Sequence, residues 1–383
     1  MKIGLFTDTF TPQINGVVTV VKMMVREFSK LEHEAVVFAP AYPNQPAEDP
    51  TKILRFPSRK VNFHPESRLT WPYRRKVPAV LAELDVIHSH TPFALGLLAL
   101  WAARHYKLPH VHTYHTYFSE YRHYIPRPIR PTKRAAERIS RAFCDRCDLV
   151  LAPSEEMKNA LGGYGVKTPI EALPFGIDLD AFQQPIGFDL RKAWAVDPEA
   201  KVLLTAGRLG PEKNFGFVID AFAHIHREIG DVVLVVAGDG PARKPLEQRA
   251  QALGVEDAVR FPGYVERKRL IDCYHQADVF VFASKTETQG IVLLEAQAAG
   301  TPVVAVGEMG VLDVVDDGVS GRLVAEDKAA FAQAVLELLK NEATYRHFCE
   351  GALALAQANS SSKTCKHLLA RYQSLLKRPA LAA

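Results

Sequence analysis

The apolar residues in the first half of the chain recur in short runs, separated by longer stretches with helical periodicity. Helices are predicted at Val17–Leu31, Ala94–Tyr106, Thr132–Arg146 and Ser154–Gly162. Strands that alternate with helices build parallel sheets from βαβ units, so this half is predicted to be a doubly wound α/β domain. The predicted strands are Lys2–Thr7, Ala35–Ala39, Lys52–Phe56, Val86–His90, His110–Tyr114, Leu149–Ala152 and Ile170–Leu173.

The second half repeats this alternation after residue 176. Its predicted strands are Val202–Ala206, Val232–Ala237, Val259–Phe261, Val279–Phe282, Val303–Val306 and Gly321–Val324. The irregular stretch from about 180 to 198, which contains Pro185 and Gly187, is the best candidate for a linker. Ligands of doubly wound sheets bind outside the carboxyl ends of the strands, so two such domains are predicted to leave a ligand-binding cleft.

The composition is that of a large globular protein. The chain has 383 residues, of which 48% are hydrophobic and 23% are charged, enough for two domains of ordinary size. It has no uncharged apolar run of about 18 residues, and its start lacks a signal-peptide layout, so a cytoplasmic location is expected. The five cysteines are too few and too scattered for a disulfide framework. Cys144 and Cys147 are interpreted as structural, because no second pair with zinc spacing accompanies them.

Positive charge is concentrated in the first half. Residues 1–176 contain 24 Lys and Arg against 16 Asp and Glu, a net charge of +8, whereas the remainder has 23 against 27, a net charge of −4. Basic and aromatic residues are interleaved at residues 71–76 and 122–141. Such segments fit an anionic membrane surface, where each cation adds up to about 1 kcal/mol, although a solvated protein face has the same composition. Nucleic acid is not expected as a partner, since no nucleic-acid-binding module accompanies them.

Two glutamates, Glu287 and Glu295, lie on either side of a predicted helix start. Glu287 is in the loop after the fourth strand of the second half, and Glu295 is about one turn into the next helix. The backbone amides of Gln289, Gly290 and Ile291 then fall at the helix N-terminus, which attracts anions. A carboxylate on each side of an anion site suits a sugar diphosphate: Glu287 would bind sugar hydroxyls and Glu295 ribose hydroxyls. The alternative is that both are ordinary acids at a helix terminus.

Two cations follow the first strand of the second half. Gly207 and Arg208 come directly after that strand, and Lys213 comes five residues later. Arginine offers a planar fork to phosphate oxygens and lysine offers a point charge, so both are candidates for holding a diphosphate; a solvated loop pair is the alternative. After the next strand, the turn that contains Gly240 lacks the last glycine of a G-x-G-x-x-G fingerprint, so an NAD site is not expected.

In the first half, Gly16 stands at the start of the first predicted helix, where a glycine lets the loop approach a ligand closely. Histidines cluster on the two strands that end near His90 and His115. Histidine at alternating strand positions can bind a metal, but no set of Asp, Glu or Cys accompanies these residues. No metal site is therefore predicted.

These segments resemble the signatures of family-four retaining glycosyltransferases. Ser-x-Thr-Glu-Thr-Gln-Gly, which contains Glu287, and Leu-Glu-Ala-Gln-Ala-Ala-Gly-Thr-Pro-Val-Val, which contains Glu295, resemble the Glu-x7-Glu signature, and the segment around His115 is similar to one beside the transferred sugar. The resemblance implies the GT-B fold, with two Rossmann-like domains facing across a cleft. Residues 1–176 would bind the acceptor and residues 177–362 the nucleotide sugar. The helix at about 363–377 is a candidate to return to the first domain, as the last helix often does in this family.

The resemblance also implies roles for single residues. Arg208 and Lys213 would hold the donor diphosphate and neutralise it as the glycosidic bond breaks. His115 would contact the edge of the transferred sugar or the acceptor. Val265 belongs to a segment that would pack against the nucleotide base, and Gly240 would line the cleft. Of the glycine pair that the family often has at the first helix, only Gly16 is present.

The segments 114–125 and 286–290 resemble the diacylglycerol α-glucosyltransferases, with phosphatidylinositol mannosyltransferases a close second. The expected function is therefore a metal-independent, retaining hexosyltransferase. It would move glucose or mannose from a UDP- or GDP-hexose, a co-substrate rather than a bound cofactor, to a lipid such as diacylglycerol at the inner face of the membrane. The alternative is a GDP-mannose-dependent mannosyltransferase acting on a phosphatidylinositol-type lipid or a glycan. Other classes are a sugar-nucleotide epimerase and a non-catalytic binding protein.

Overall fold

The computed structural model describes residues 1–43, 45, 52–60, 68–72, 77–117, 127 and 130–377. The chain forms two compact units: a first unit of Met1–Phe175 with Ser361–Ala383, and a second unit of Gly176–Ser360. Residues 73–76, 122–126 and 128–129, which belong to the two basic segments, lie outside the described residues. In the described part of the chain, no helix is both long and apolar enough to cross a bilayer.

The first unit is built on a parallel sheet with the strand order β3-β2-β1-β6-β7-β8-β9. Its strands are β1 (Lys2–Phe6), β2 (Glu34–Pro40), β3 (Ile53–Phe56), β6 (Val86–Ser89), β7 (His110–Thr113), β8 (Leu149–Ala152) and β9 (Ile170–Ala172). A separate antiparallel pair consists of β4 (Ser58–Lys60) and β5 (Arg68–Thr70). The helices are α1 (Gly16–Lys30), α2 (Val77–Leu81), α3 (Ala94–Tyr106), α4 (Lys133–Cys144), α5 (Glu155–Gly163) and, from the end of the chain, α14 (Ser361–Leu376).

The central strands β1, β6 and β7 are buried along almost their whole length, as expected for a parallel sheet with helices on both faces. Phe6 of β1 and Phe38 of β2 stack with their ring centroids 4.1 Å apart, next to the buried Phe56 of β3. The strand order changes direction between β1 and β6. Ligands of doubly wound sheets bind at such a switch point, outside the carboxyl ends of the strands.

Helix α14 packs against α1 within the first unit. The buried ring of Tyr372 meets Phe28 edge-on, with the centroids 6.1 Å apart, and Cys365 Sγ lies 3.6 Å from Met23 Sδ. The hydroxyl of Thr364 donates to the carbonyl oxygen of Pro174 at 3.2 Å. The core of the first unit is therefore completed by the last described helix of the chain.

The second unit is built on a parallel sheet with the strand order β12-β11-β10-β13-β14-β15, which changes direction between β10 and β13. Its strands are β10 (Lys201–Ala206), β11 (Val232–Ala237), β12 (Val259–Gly263), β13 (Val279–Phe282), β14 (Val303–Val306) and β15 (Gly321–Val324). Its helices are α6 (Leu179–Phe182), α7 (Leu190–Ala193), α8 (Phe215–Ile229), α9 (Arg243–Ala252), α10 (Arg267–Gln276), α11 (Ile291–Ala298), α12 (Lys328–Lys340) and α13 (Glu342–Ala358).

The strands of the second unit supply two separate apolar cores. On β11, Val232, Leu234 and Val236 join the cluster formed with α8 and α12. Val233 and Val235 join the cluster formed with α10 and α11 on the other face. This division follows from the two-residue repeat of a strand, which sends successive side chains to opposite faces.

The irregular stretch predicted as a linker is part of the second unit and is held against α10. The side chain of Asp272 accepts hydrogen bonds from the backbone N–H groups of Ile186, at 3.0 Å, and of Phe188. Gln276 accepts from the N–H of Leu190 at 3.0 Å and donates to the carbonyl oxygen of Phe188 at 2.6 Å. Side chains of α10 thus satisfy backbone groups that have no secondary-structure partner.

Candidate active site

The loops after β10 and β11 are held together by a close backbone contact. The N–H of Gly207 donates to the carbonyl oxygen of Ala237 at 3.0 Å, and that of Leu209 to Asp239 at 3.0 Å. Gly238 has φ +152°, and a Cβ atom there would lie 1.8 Å from the carbonyl oxygen of Gly207. Glycine is therefore required at position 238, and it fixes the turn from which Arg208 projects.

The two predicted phosphate-binding cations are each paired with a carboxylate. Arg208, whose side chain is 35% exposed, pairs with Glu212, which is 8% exposed. Lys213 pairs with Glu287, whose loop follows β13. Because β10 and β13 are neighbours at the switch point of the sheet, these four side chains lie where ligands bind in doubly wound folds.

The loop that carries Glu287 leads into the N-terminus of α11. Gly290 precedes the helix with φ +77°, a left-handed conformation that favours glycine, and the side chain of Gln289 is buried. The N–H of Gly310 donates to the carbonyl oxygen of Glu287 at 3.1 Å and so supports the loop. The first N–H groups of a helix have no acceptor within it, so α11 offers amides to an anion near Lys213.

Glu295 is held by two donors from α10. It is 4% exposed; one carboxylate oxygen pairs with Arg267, and the other accepts from the hydroxyl of Tyr274 at 3.0 Å. The charge of Glu295 raises the pKa of Arg267, and burial followed by the same charge raises the pKa of Tyr274 well above its usual value. The carboxylate is therefore fixed in position, and each oxygen keeps a further lone pair for a ligand hydroxyl.

The other predicted donor-binding residues follow the same edge of the sheet. Gly207, Gly240 and Val265 come after β10, β11 and β12, and Ile291 begins α11. Val265 packs against the apolar cluster of α10 and α11. The second unit therefore gathers every predicted residue except Gly16 and His115, which belong to the first unit.

The loops after β1 and β6 of the first unit are joined through Asp8. Its carboxylate accepts from the hydroxyl of Thr91 at 2.6 Å and from the N–H of Leu95 at 3.1 Å, near the start of α3. Burial raises the pKa of Asp8. Gly16 begins α1 after Asn15, whose side chain accepts from the N–H of Val18 at 3.1 Å.

His115 belongs to a chain of aromatic side chains in the first unit. Its Nε2 lies 2.9 Å from Nδ1 of His90, and the ring of His90 stacks on that of His88 with the centroids 4.4 Å apart. His88 Nδ1 lies 2.5 Å from the hydroxyl of Tyr372, and His88 Nε2 lies 2.7 Å from that of Thr113. Desolvation lowers the pKa of His115 to about 3 and the pKa of His88 and His90 well below 6.5, so these rings are neutral near pH 7.

Among the described residues, no group of three or more His, Cys, Asp or Glu side chains is arranged to hold a metal ion. Both nitrogens of His88 are already engaged by hydroxyl groups. Cys144 and Cys147 are buried free thiols, and desolvation raises the pKa of each.

Comparison with known proteins assigns the family. Residues 14–181 match the family described as Glycosyltransferase Family 4, and residues 188–353 match the one described as Glycosyl transferases group 1. An alpha-monoglucosyldiacylglycerol synthase from Streptococcus pneumoniae is 35% identical over 346 residues, which cover 88% of this chain and 78% of that protein. The chain belongs to glycosyltransferase family 4. The family predicted from the sequence motifs is thereby confirmed.

Other relatives of this glycosyltransferase extend the comparison. A GDP-mannose-dependent alpha-mannosyltransferase from Mycolicibacterium smegmatis is 28% identical, and the match covers 100% of each chain. The crystal structure of HepE from Anabaena in complex with UDP-glucose has a TM-score of 0.78 at 21% identity and covers 98% of this chain and 99% of that chain. Sucrose-phosphate synthase from Thermosynechococcus elongatus has a TM-score of 0.76 at 22% identity, with 98% of each chain covered. These similarities show the GT-B fold, as predicted.

The sequence did not reveal several side chains that hold the candidate site. Glu212 pairs with Arg208, Arg267 and Tyr274 hold Glu295, and His90 contacts His115. Arg267 and Glu295 are separated by 28 residues, so no local spacing connects them. Two signals were available: Glu212 stands four residues after Arg208, and His88 and His90 alternate on a strand that leads to a switch point.

Proposed function

We propose that the glycosyltransferase moves glucose from UDP-glucose to diacylglycerol with retention of configuration at the sugar. The observation that carries the proposal is the pair of cations at the switch point of the second unit, Arg208 and Lys213, each facing a carboxylate and lying near the N-terminus of α11. A site of this kind suits a sugar diphosphate, which brings both negative charge and hydroxyl groups. The glucose and diacylglycerol assignments rest on the similarity to the alpha-monoglucosyldiacylglycerol synthases.

Donor binding in this proposal exchanges one set of ion pairs for another. The diphosphate takes the places of Glu212 and Glu287 beside Arg208 and Lys213, and the amides of residues 289–291 face the same phosphates. Glu287 is then released to accept hydrogen bonds from sugar hydroxyls, and Glu295 accepts them from the ribose. The buried carboxylates keep the cations in place before the donor arrives, so the positive charge is already located at the site.

The same cations serve the chemical step. Negative charge grows on the diphosphate as the glycosidic bond breaks, and Arg208 and Lys213 stabilise that charge. Front-face attack then gives retention: the acceptor hydroxyl approaches on the side of the leaving phosphate, whose oxygen takes the hydroxyl proton. His115 of the first unit contacts the edge of the transferred sugar or the acceptor.

A lipid acceptor requires contact with a bilayer, which we assign to the first unit. Arg127, Arg130, Lys133 and Arg134 are exposed in the second basic segment. Beside α4, a groove of about 800 Å³ is lined by Leu97, Trp101, Ile139, Arg104 and Arg146. The three apolar side chains in this groove are between 49% and 61% exposed. Apolar side chains flanked by arginines fit the interface of an anionic membrane.

The second candidate is mannose transfer from GDP-mannose. It is favoured by the relatives named GDP-mannose-dependent alpha-mannosyltransferase, whose matches cover 98% and 100% of this chain at 27% and 28% identity. The acceptor would then be a phosphatidylinositol-type lipid or a glycan.

A donor and acceptor screen tests the proposal. The protein is incubated with UDP-glucose or GDP-mannose and with vesicles that contain diacylglycerol or phosphatidylinositol. We expect glucosyl-diacylglycerol with the α configuration from UDP-glucose. Mannolipid from GDP-mannose alone would establish the second candidate instead. Interconversion of a sugar nucleotide without any acceptor would contradict both transfer reactions and identify an epimerase.

Vesicle sedimentation tests the membrane contact. Replacement of Arg127, Arg130, Lys133 and Arg134 by Ser should weaken binding to anionic vesicles, as raised salt should, because charge attraction is screened within about 10 Å at 0.1 M salt. Donor affinity should be unchanged. The matched control replaces four exposed cations of the second unit, Lys192, Lys244, Lys340 and Arg346, by Ser. Equal vesicle binding by the two quadruple variants would rule out this docking face and favour a soluble acceptor.

A further inference from the structure

The contact between His90 and His115 restricts where their protons lie. A neutral imidazole carries one N–H donor and one bare acceptor nitrogen. His90 Nδ1 lies 2.9 Å from His115 Nε2, so one ring must donate to the other. Two arrangements satisfy this contact, and they place the proton of His115 on different nitrogens.

The other nitrogen of His90 distinguishes the two arrangements. His90 Nε2 is buried and has no hydrogen-bond partner among the described residues. If His115 donated, this buried nitrogen would carry an unpaired N–H group, and orphaned buried N–H groups are rare in folded proteins. If His90 donates from Nδ1 instead, its Nε2 carries no proton, and only an acceptor lone pair is left without a partner.

His112, on the neighbouring strand, offers a comparison. Its Nδ1 lies 2.9 Å from the hydroxyl oxygen of Ser89 and 3.0 Å from the carbonyl oxygen of the same residue. A carbonyl oxygen can only accept, so a proton on Nδ1 satisfies this contact. Its Nε2 is also buried and, within the described residues, has no partner. The same sheet therefore already contains a buried histidine that leaves Nε2 as a bare lone pair.

We propose that His90 is a positioning residue: its Nδ1–H donates to Nε2 of His115 and fixes His115 in the tautomer that carries its proton on Nδ1. His115 then presents an N–H donor to an oxygen of the transferred sugar or of the acceptor. It does not act through Nε2 as a base. This inference rests on the proposed function for the identity of the ligand, but the tautomer itself does not depend on it.

The ring of His90 is in turn held by its neighbours. It stacks on His88, whose two nitrogens contact the hydroxyls of Tyr372 and Thr113. His115, the hydrogen-bond partner of His90, stacks in turn on Phe175 with the ring centroids 5.5 Å apart. Tyr372 of α14 contacts His88, His88 stacks on His90, and His90 contacts His115. Helix α14 therefore helps to orient His115.

The first test measures the tautomer directly in the full-length protein without ligand. Long-range nitrogen–proton correlation NMR, with His115 assigned by its absence in His115→Gln, should show the Nδ1-protonated form at pH 7.5. In His90→Phe the constraint is removed, so the signal should move toward the Nε2-protonated form. An Nε2-protonated His115 in the unsubstituted protein would overturn the proposal, whatever the protein transfers.

The second test compares two substitutions of His90 in the transfer assay. The side-chain amide of Asn can donate from nearly the position of Nδ1, whereas Phe keeps the ring and removes the donor. His90→Asn should retain kcat within about threefold. His90→Phe should lose about tenfold or more, as expected for one lost hydrogen bond, with KM for the nucleotide sugar unchanged.

His112→Asn and His112→Phe are the matched controls, because His112 is equally buried and its Nε2 likewise has no partner in the part of the chain that the structure describes. They should lower the melting temperature while kcat per folded molecule stays within about twofold. Equal kcat in His90→Asn and His90→Phe, or equal losses in His90→Phe and His112→Phe, would overturn the positioning role. Absence of transfer by the unsubstituted protein would instead count against the proposed function and leave the NMR result to decide the tautomer.

Discussion

The polar side chains at the switch point of the second unit are charged and paired, whereas the histidines near the strand ends of the first unit are neutral rings joined by hydrogen bonds and stacking. Arg208, Lys213 and Arg267 each face a carboxylate. His88, His90 and His115 are desolvated, and their pKa values are lowered. A site that must receive a diphosphate benefits from cations already in place, while a site that orients hydroxyl groups needs direction without net charge. The two kinds of site should respond differently to pH and to substitution.

Acidification should have the largest effect, and it should act on the first unit. His88, His90, His110 and His112 have pKa values below the unfolded value of about 6.5, so the unfolded chain binds protons first as the pH falls. Their contribution to stability is complete above pH 6.5 and is lost below it, by at most about 1.4 kcal/mol per histidine and pH unit. Hydrogen exchange at pH 7.5 and 5.5, corrected for intrinsic rates, should show protection lost mainly in the first unit. Equal losses in both units would contradict the comparison.

Removal of a paired cation should come next. Lys213→Ala should lower kcat by about 100- to 1,000-fold, because phosphate charge grows in the transition state, with a smaller effect on donor affinity. The matched control is Lys201→Ala, which removes a lysine paired with Asp278 at 3.0 Å at the start of β10, the opposite end of the strand. Turnover and donor affinity are measured separately. Unchanged turnover in Lys213→Ala would remove this lysine from the leaving-group site.

Glu295→Ala should have a smaller effect that appears in binding. A ribose contact changes little along the reaction, so donor affinity should fall by about tenfold with kcat largely kept. Titration calorimetry with the nucleotide sugar measures this change. The control is Glu337→Ala, which removes a carboxylate paired with Arg322 at 3.2 Å. A fall in kcat with unchanged affinity would show that Glu295 acts in the chemical step.

Tyr372→Phe should lower the stability of the first unit by about 1–3 kcal/mol, since it leaves a buried nitrogen of His88 without its partner. Chemical denaturation followed by tryptophan fluorescence measures the change, in a Trp194→Phe background that leaves Trp71 and Trp101 of the first unit as the emitters. Tyr106→Phe is the control, because the Tyr106 hydroxyl donates to Pro78 at 3.2 Å at the surface. If both variants were equally stable, the Tyr372–His88 contact would carry no net free energy.

Removal of divalent metal ions by EDTA should have the smallest effect: transferase activity should not change. In the proposed mechanism, the charges of Arg208 and Lys213 and the amides at the start of α11 supply the electrostatic role that a metal would otherwise have. Activity in the presence of EDTA should equal that in its absence. A loss that a divalent ion restores would contradict the role given to the two cations.

The regular strands could be predicted closely because burial on both faces leaves a continuous apolar run. Leu149–Ala152, Val232–Ala237 and Val279–Phe282 have the predicted bounds. The pair β4 and β5 was missed because each strand is only three residues long and mostly polar. The Glu287 and Glu295 signals are local and could be found in the sequence. A partner such as Arg267 could not be found there, because the Arg267–Glu295 ion pair joins different helices and arises only from packing.

The return of the last helix to the first unit has a consequence for how the protein is made. During synthesis the first 175 residues leave the ribosome well before residues 361–376, and the whole second unit is translated in between. Until then the surface that later covers Cys365, Leu368 and Tyr372 has no partner, so the nascent first unit exposes apolar side chains such as Phe28. The second unit, encoded without interruption, can fold first. The core of the first unit can therefore be completed only after the second unit has been translated.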